Sequence, residues 1–138
     1  MNQTIIDKVV DLVNYHKTSN PFEIADNYMI DVRYAPTDDD FKGIYLPIYN
    51  KQLIILNKKL EHTQERYFVM SHELWHAIND YDVVSYYHIG INAKGKMERV
   101  ANQFATALCL FDKEIDWNKS SFCILKENYI PYEMEEYL

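Results

Sequence analysis

The chain has 138 residues and a mass of 16.5 kDa, and its 48% hydrophobic and 25% charged content are those of one globular domain with its own core. A net charge of −7, with no basic cluster denser than Lys58-Lys59, argues against nucleic-acid binding. Asp7 and Asp11 break up the first apolar stretch, which excludes a signal peptide or membrane span there, and Cys109 and Cys123 fit free thiols in a reducing, cytoplasmic setting.

Thr4 to Lys17 has apolar residues at helical spacing: Ile5, Val9, Leu12 and Val13. Asn20-Pro21-Phe22-Glu23 has the form of a helix start, with Asn20 as N-cap, Pro21 in the first turn and Glu23 at the third position; this helix should end near Tyr28. Ile30 to Tyr34 alternates as a strand does. Ala35 to Phe41, with its proline and Asp38-Asp39-Asp40, reads as a loop. Ile44 to Tyr49 and Leu53 to Asn57 read as a hairpin turning at Asn50-Lys51, with Pro47 marking the first strand as an edge or a bulge. A helix capped by Thr63 should run to about Asn79, followed by a tyrosine-rich loop from Asp80 to Gly95 and a helix over Met97 to Phe111. The remainder is mixed, with a short helix after Pro131. The acidic residues at 38–40 and at Glu133, Glu135 and Glu136 read as solvated segments or as attraction to a basic protein partner. The whole is an α+β arrangement over residues 1–138 as a single domain, with a small antiparallel sheet packed on the helix that contains 72–76 and a further helix beside it, which is the outline of zincin-like peptidases.

That helix contains His72-Glu73-Leu74-Trp75-His76, an HExxH sequence. Histidines at i and i+4 stand one turn apart on the same face, so their imidazoles can converge on one zinc ion, and Glu73 can take a proton from a water beside it. On a helical wheel Tyr67, Ser71, Leu74 and Ile78 share one side, and Val69, His72, Glu73 and His76 the other, which keeps the histidines off the core stripe.

A catalytic zinc takes three protein ligands and keeps one position open. Asp80, Asp82, His88, Glu98, Asp112 and Glu114 lie downstream. Asp80 stands too far along the helix axis to meet the ion, and Asp82 and His88 fall in the loop, a poor place for fixed geometry. Glu98 is favoured: Ala101 and Ala105, with Asn102 alongside, give its helix a small-residue face that allows close approach to the motif helix. Cys109 lies some ~16 Å along the same helix, too far to share an ion with Glu98. His16 and His62 read as surface residues.

Glu98-Arg99-Val100-Ala101-Asn102-Gln103-Phe104-Ala105 resembles the E-x-x-A-N-x-F-A signature of the ImmA/IrrE family of zinc metallopeptidases, and Arg66-Tyr67-Phe68 before the HExxH is similar to the family as well. The resemblance covers roughly residues 21–111. It implies Zn²⁺ held by His72, His76 and Glu98, with Glu73 as catalytic base. It also implies a biology: such proteins are often encoded by phages and integrative elements beside a helix-turn-helix repressor, which they cleave. The sensory domain of larger relatives is not expected here. Many members have glycine before the second motif histidine, where this chain has Trp75; pointing about 100° away from His76, Trp75 is expected to pack in the core.

The expectation is therefore a zinc endopeptidase that acts on a specific protein such as a DNA-binding repressor, with no direct nucleic-acid or membrane partner. Tyr86, Tyr87 and His88 are candidate donors to the developing oxyanion. The alternatives are a non-cleaving anti-repressor with a structural metal, or a toxin-like component of a two-gene module. A structural site has no use for Glu73 and closes its fourth position with a residue, which favours the enzyme.

Overall fold

The computed structural model describes residues 2–80, 85–88 and 95–138. Helix α1 (Gln3–His16) starts where the Asn2 side chain accepts from the Thr4 amide, and stops at Lys17, which takes a left-handed conformation (φ 60°). Helix α2 (Pro21–Asn27) has the expected Asn20 cap, accepting from the Phe22 amide at 3.0 Å. The reciprocal half of the capping box is absent: Thr18 donates to Glu23, and the Asn20 amide donates to the Thr18 hydroxyl. Strands β1 (Asp31–Ala35), β2 (Phe41–Ile48) and β3 (Lys51–Asn57) follow, then a 3-10 turn (Lys58–Leu60), α3 (Arg66–Asn79), β4 (Ser85–His88), α4 (Lys96–Leu110), α5 (Ser121–Glu127) and a second 3-10 turn (Tyr132–Tyr137). The chain is thus α+β. No helix of the described residues is long and apolar enough to cross a membrane.

The sheet corrects the expectation of a purely antiparallel one. Its strand order is β1-β3-β2-β4, with β2 antiparallel to both neighbours and β1 parallel to β3, from Asp31 opposite Leu53 to Ala35 opposite Asn57. The 36–40 connection carries the chain past the place that β3 later fills, so the hairpin inserts its second strand against β1. Strand alternation reports which residues face the core and says nothing about which strand lies alongside. Strand β2 is interior, not an edge. Among the described residues Pro47 pairs with Gln52 alone, and the described ladder to β4 ends at Tyr45 opposite Ser85. Strand β4 lies within the segment read as a loop, its four residues too short a run for the pattern to register.

Helix α3 is also more enclosed than an amphipathic reading allows. Every residue from Phe68 to Ala77 is buried. The sheet covers one face with Tyr45, Ile54 and Leu56, while α1, α2 and α4 supply Val9, Ile24, Ala101 and Phe104 on the others. Thr63 does not cap it; its hydroxyl donates to the Leu60 carbonyl, and the helix opens at Arg66 with no side-chain cap. Trp75 packs in the core as expected, its ring 4.9 Å from that of Phe104 and under the Lys8 ammonium. A second apolar cluster joins Phe68 and Ala105 to Leu125, Ile130, Met134 and Tyr137. His16 is half-buried against Tyr15 and Tyr28, unlike the exposed His62.

Gly43 lets β2 lie close to α3. A Cβ there would stand 3.0 Å from Val69 Cγ1, 3.2 Å from Leu56 Cδ2 and 3.4 Å from Glu73 Cγ. Gly43→Ala is expected to lower stability by ~1–3 kcal/mol through overpacking, and Gly43→Val by more. Urea titration measures this, and unchanged midpoints would mean that the two elements do not press together.

Both cysteines are free. Burial pushes the Cys109 thiol up to about 12, against a weak contact with Ser71 Oγ at 3.9 Å, whereas Cys123 is exposed. A disulfide-exchange reagent at pH 8 should therefore titrate Cys123 at once and the half-buried Cys109 more slowly, because the thiolate is the reactive form. Rapid reaction of both thiols in the native protein would contradict this.

Candidate metal centre

His72 and His76 face the same way from adjacent turns of α3, with Nε2 atoms 3.3 Å apart. Helix α4 meets α3 through Ala101 and Ala105, both fully buried, and this close contact carries Glu98 to the histidine pair. Glu98 Oε2 lies 2.9 Å from His72 Nε2, and Oε1 lies 3.1 Å from His76 Nε2. Among the described residues, these three form the one group of histidine, cysteine and carboxylate side chains able to hold a metal ion. Both imidazoles are fully buried, while Glu98 is 20% exposed and opens the cluster toward the start of α4.

The far nitrogen of each ring is also occupied. His72 Nδ1–H donates to Asn102 Oδ1 at 2.8 Å, and His76 Nδ1–H donates to Asp80 Oδ2 at 3.0 Å. With each Nδ1–H donating outward, a neutral ring would present its Nε2 lone pair to an ion at the centre, the tautomer a metal ligand requires. Neither partner was assigned this task from the sequence. Asp80 was set aside for its distance along the axis, which disqualifies it only as a direct ligand. Asn102 was valued for its small size. The signals were there in spacing: Asp80 follows His76 by four residues, and Asn102 follows Glu98 by four on the face turned to α3.

Burial holds His72 below the ordinary histidine value despite the pull of Glu98. Burial opposes protonation of His76 too, but Glu98, Glu73 and Asp80 together raise it. For Glu98, burial alone would raise the carboxyl; the hydrogen bonds and charge of the two imidazoles outweigh it and hold it at about 2. A carboxylate enclosed with two imidazoles needs positive charge beside it, because an uncompensated buried ion costs several kcal/mol. A proton on His76 supplies some of it; a divalent cation would supply more and meet all three donors. Two nitrogens and a carboxylate oxygen are a donor set zinc takes, and ligands ~2.0–2.1 Å from a tetrahedral ion stand roughly 3.3 Å apart, close to the spacings found. The residues fit such an ion.

Glu73 is fully buried on the same helix, its Cγ near the backbone of Gly43. The side chains of Tyr86, Tyr87 and His88 lie outside the described residues, as does Asp82. Asp112 bonds Ser19 beyond the far end of α4, and Glu114 is exposed.

The model of the peptidase family described as the IrrE N-terminal-like domain matches residues 25–119. An "Uncharacterized immunity region protein 2" of Bacillus phage phi105 is 37% identical over 75 residues, which are 54% of this chain and 47% of that protein. The chain thus spans about half the length of this curated relative. No solved structure matches the chain.

Zinc titrated into the metal-free protein should bind with a stoichiometry near one and raise the thermal midpoint. Asn102→Ala should weaken zinc affinity by about 10–100-fold by freeing the His72 ring, and Glu98→Ala should weaken it further by removing a donor. Calorimetry would decide; full affinity in the Glu98 variant would exclude it as a ligand.

Proposed function

The chain belongs to the ImmA/IrrE family of peptidases, and from that premise we propose that it is a cytoplasmic zinc-dependent endopeptidase, a single zincin-like domain that cuts a specific protein. The observation that carries the proposal is the pairing of a three-donor set with a buried glutamate. His72, His76 and Glu98 are three donors, and among the described residues no fourth histidine, cysteine or carboxylate joins them. Glu73, adjacent to His72, is held in the interior, close enough to favour protonation of His76. A structural metal site would close with a fourth residue and would have no task for Glu73.

In the proposed mechanism His72, His76 and Glu98 would hold a zinc ion. When bound, zinc supplies Lewis acidity, polarising a carbonyl and making water acidic enough to deprotonate near neutrality. Asn102 and Asp80 keep the two imidazoles in the ligating tautomer. Glu73 takes the proton of the attacking water and returns it to the departing amine nitrogen, so that one carboxylate serves as base and then as acid. Its burial against β2 fixes its position and limits competing water. The developing oxyanion needs a further donor, and Tyr86, Tyr87 and His88 are the candidates, since β4 pairs with the strand that touches Glu73. Strand β4 is also an edge of the described sheet, and an extended substrate segment could add to it by main-chain hydrogen bonds.

The relative carries an immunity-region name, which supports a phage setting for that protein. For this chain, we take the substrate to be a helix-turn-helix repressor whose cleavage ends repression.

Glu73→Gln preserves shape and removes the base. Zinc content, thermal midpoint and repressor binding should stay near wild type, while cleavage should fall by about 10²–10⁴. Intact mass of the repressor and its release from operator DNA are to be followed together. Full release without fragments in this variant would replace the peptidase by sequestration.

A further inference from the structure

At the end of the sheet away from β4, a groove of about 550 Å³ runs between α2 and the start of β1. Ile30 is buried and Phe22 and Val32 are half-buried, so these three form its floor; the exposed Glu23, Asp26 and Asp31 form its rim. No lysine or arginine of the described residues lines it. Among the described residues, β1 has a neighbouring strand, β3, on one side only. Its other side therefore presents main-chain donors and acceptors beside the groove.

The rim charges are only partly balanced by the residues around them. Arg33 pairs with Asp31 at 3.0 Å. Arg66 lies against the Phe22 ring, but its guanidinium donates to the Thr63 carbonyl and the Tyr67 hydroxyl. Glu23 accepts from the Thr18 hydroxyl, a neutral partner, and neither Glu23 nor Asp26 has an ion pair among the described residues. A second copy of the chain would set this rim against its own carboxylates, which charge disfavours; a segment with Lys or Arg is attracted. The open strand edge selects the conformation. A helix has already paired its own backbone groups, whereas an extended segment can complete those of β1. Side chains alternate in direction along a strand, so every second residue of such a segment can reach the acidic rim.

We propose that α2 and the open edge of β1 form a docking site for an extended basic segment of a partner protein, which adds to the sheet beside β1 and turns alternate Lys or Arg side chains toward Glu23 and Asp26. The site is separate from the metal centre, since β3 lies between β1 and the strand whose Gly43 approaches Glu73. It goes beyond the peptidase reading, and its test needs no cleavage.

The experiment uses the full chain with Glu73→Gln, so that a bound peptide stays intact, and three short end-labelled peptides. One alternates valine with lysine, and another valine with glutamate. The third is the lysine peptide with every backbone nitrogen methylated, which keeps the charge and removes the main-chain donors. Fluorescence anisotropy should register binding of the first alone, about tenfold weaker when salt screens the rim. On binding, amide hydrogen exchange along β1 should slow by about tenfold or more, while that of β4 keeps its rate. Asp26→Lys should reduce affinity by about an order of magnitude, and Glu23→Gln by less, with the thermal midpoint of both near that of the parent chain. The proposal is overturned by failure of the lysine peptide to bind, by equal binding of the glutamate or the methylated peptide, or by protection of β4 in place of β1. Indifference to Asp26→Lys, or a concentration-dependent dimer that protects β1 without peptide, would overturn it as well.

Discussion

Helix α4 can lie against α3 closely enough for a glutamate to reach two histidines because the residues between them are small. Ala101 and Ala105 are fully buried at that contact, and Phe104 fills the space beside them against Trp75. A larger residue at either alanine would hold the helices apart, and the carboxylate of Glu98 would no longer span the distance to both Nε2 atoms. The donors, the rings' tautomers and the opening of the site at Glu98 all follow from that one close approach. The sheet makes a matching approach on the other side of α3, where Gly43 leaves room beside Val69 and Glu73.

This pressure from two sides explains why the polar residues of α3 sit in the interior. Ser71, His72, Glu73 and His76 are all fully buried, a poor use of a helix unless each has a partner or a task. Ser71 returns its hydroxyl to the Tyr67 carbonyl within its own helix. His72 and His76 are fixed by Asn102 and Asp80 at one ring nitrogen and share Glu98 at the other. The stability that an all-apolar helix would provide is given up in favour of a rigid polar centre, an arrangement that reaction chemistry needs and packing alone does not.

The electrostatic character of the molecule divides between interior and surface. Inside, a carboxylate held at about 2 between two imidazoles calls for a cation. Outside, the chain carries a net charge of −7, with exposed acidic residues at 38–40 and at Glu133, Glu135 and Glu136. In the proposed function the first feature serves chemistry.

The sequence by itself determined the parts whose signal is local. The i, i+4 spacing of His72 and His76, the Asn20 cap, a helix over Met97 to Phe111 (Lys96–Leu110 in the structure) and the small face that favoured Glu98 can all be read from a few neighbouring residues, because helix geometry converts sequence spacing directly into position. Tertiary structure alone decided what depends on neighbours distant in the chain. The placing of β3 against β1 made the sheet mixed; pairing on both sides made β2 interior despite Pro47; enclosure by the sheet and α4 buried the histidine face that a helical wheel left outside. Asn102 belongs to the same class, since its hydrogen bond to His72 spans thirty positions of chain. Residue type fixes what a side chain can donate or accept, but which partner it meets is set by the packing of whole elements, and no local pattern encodes that.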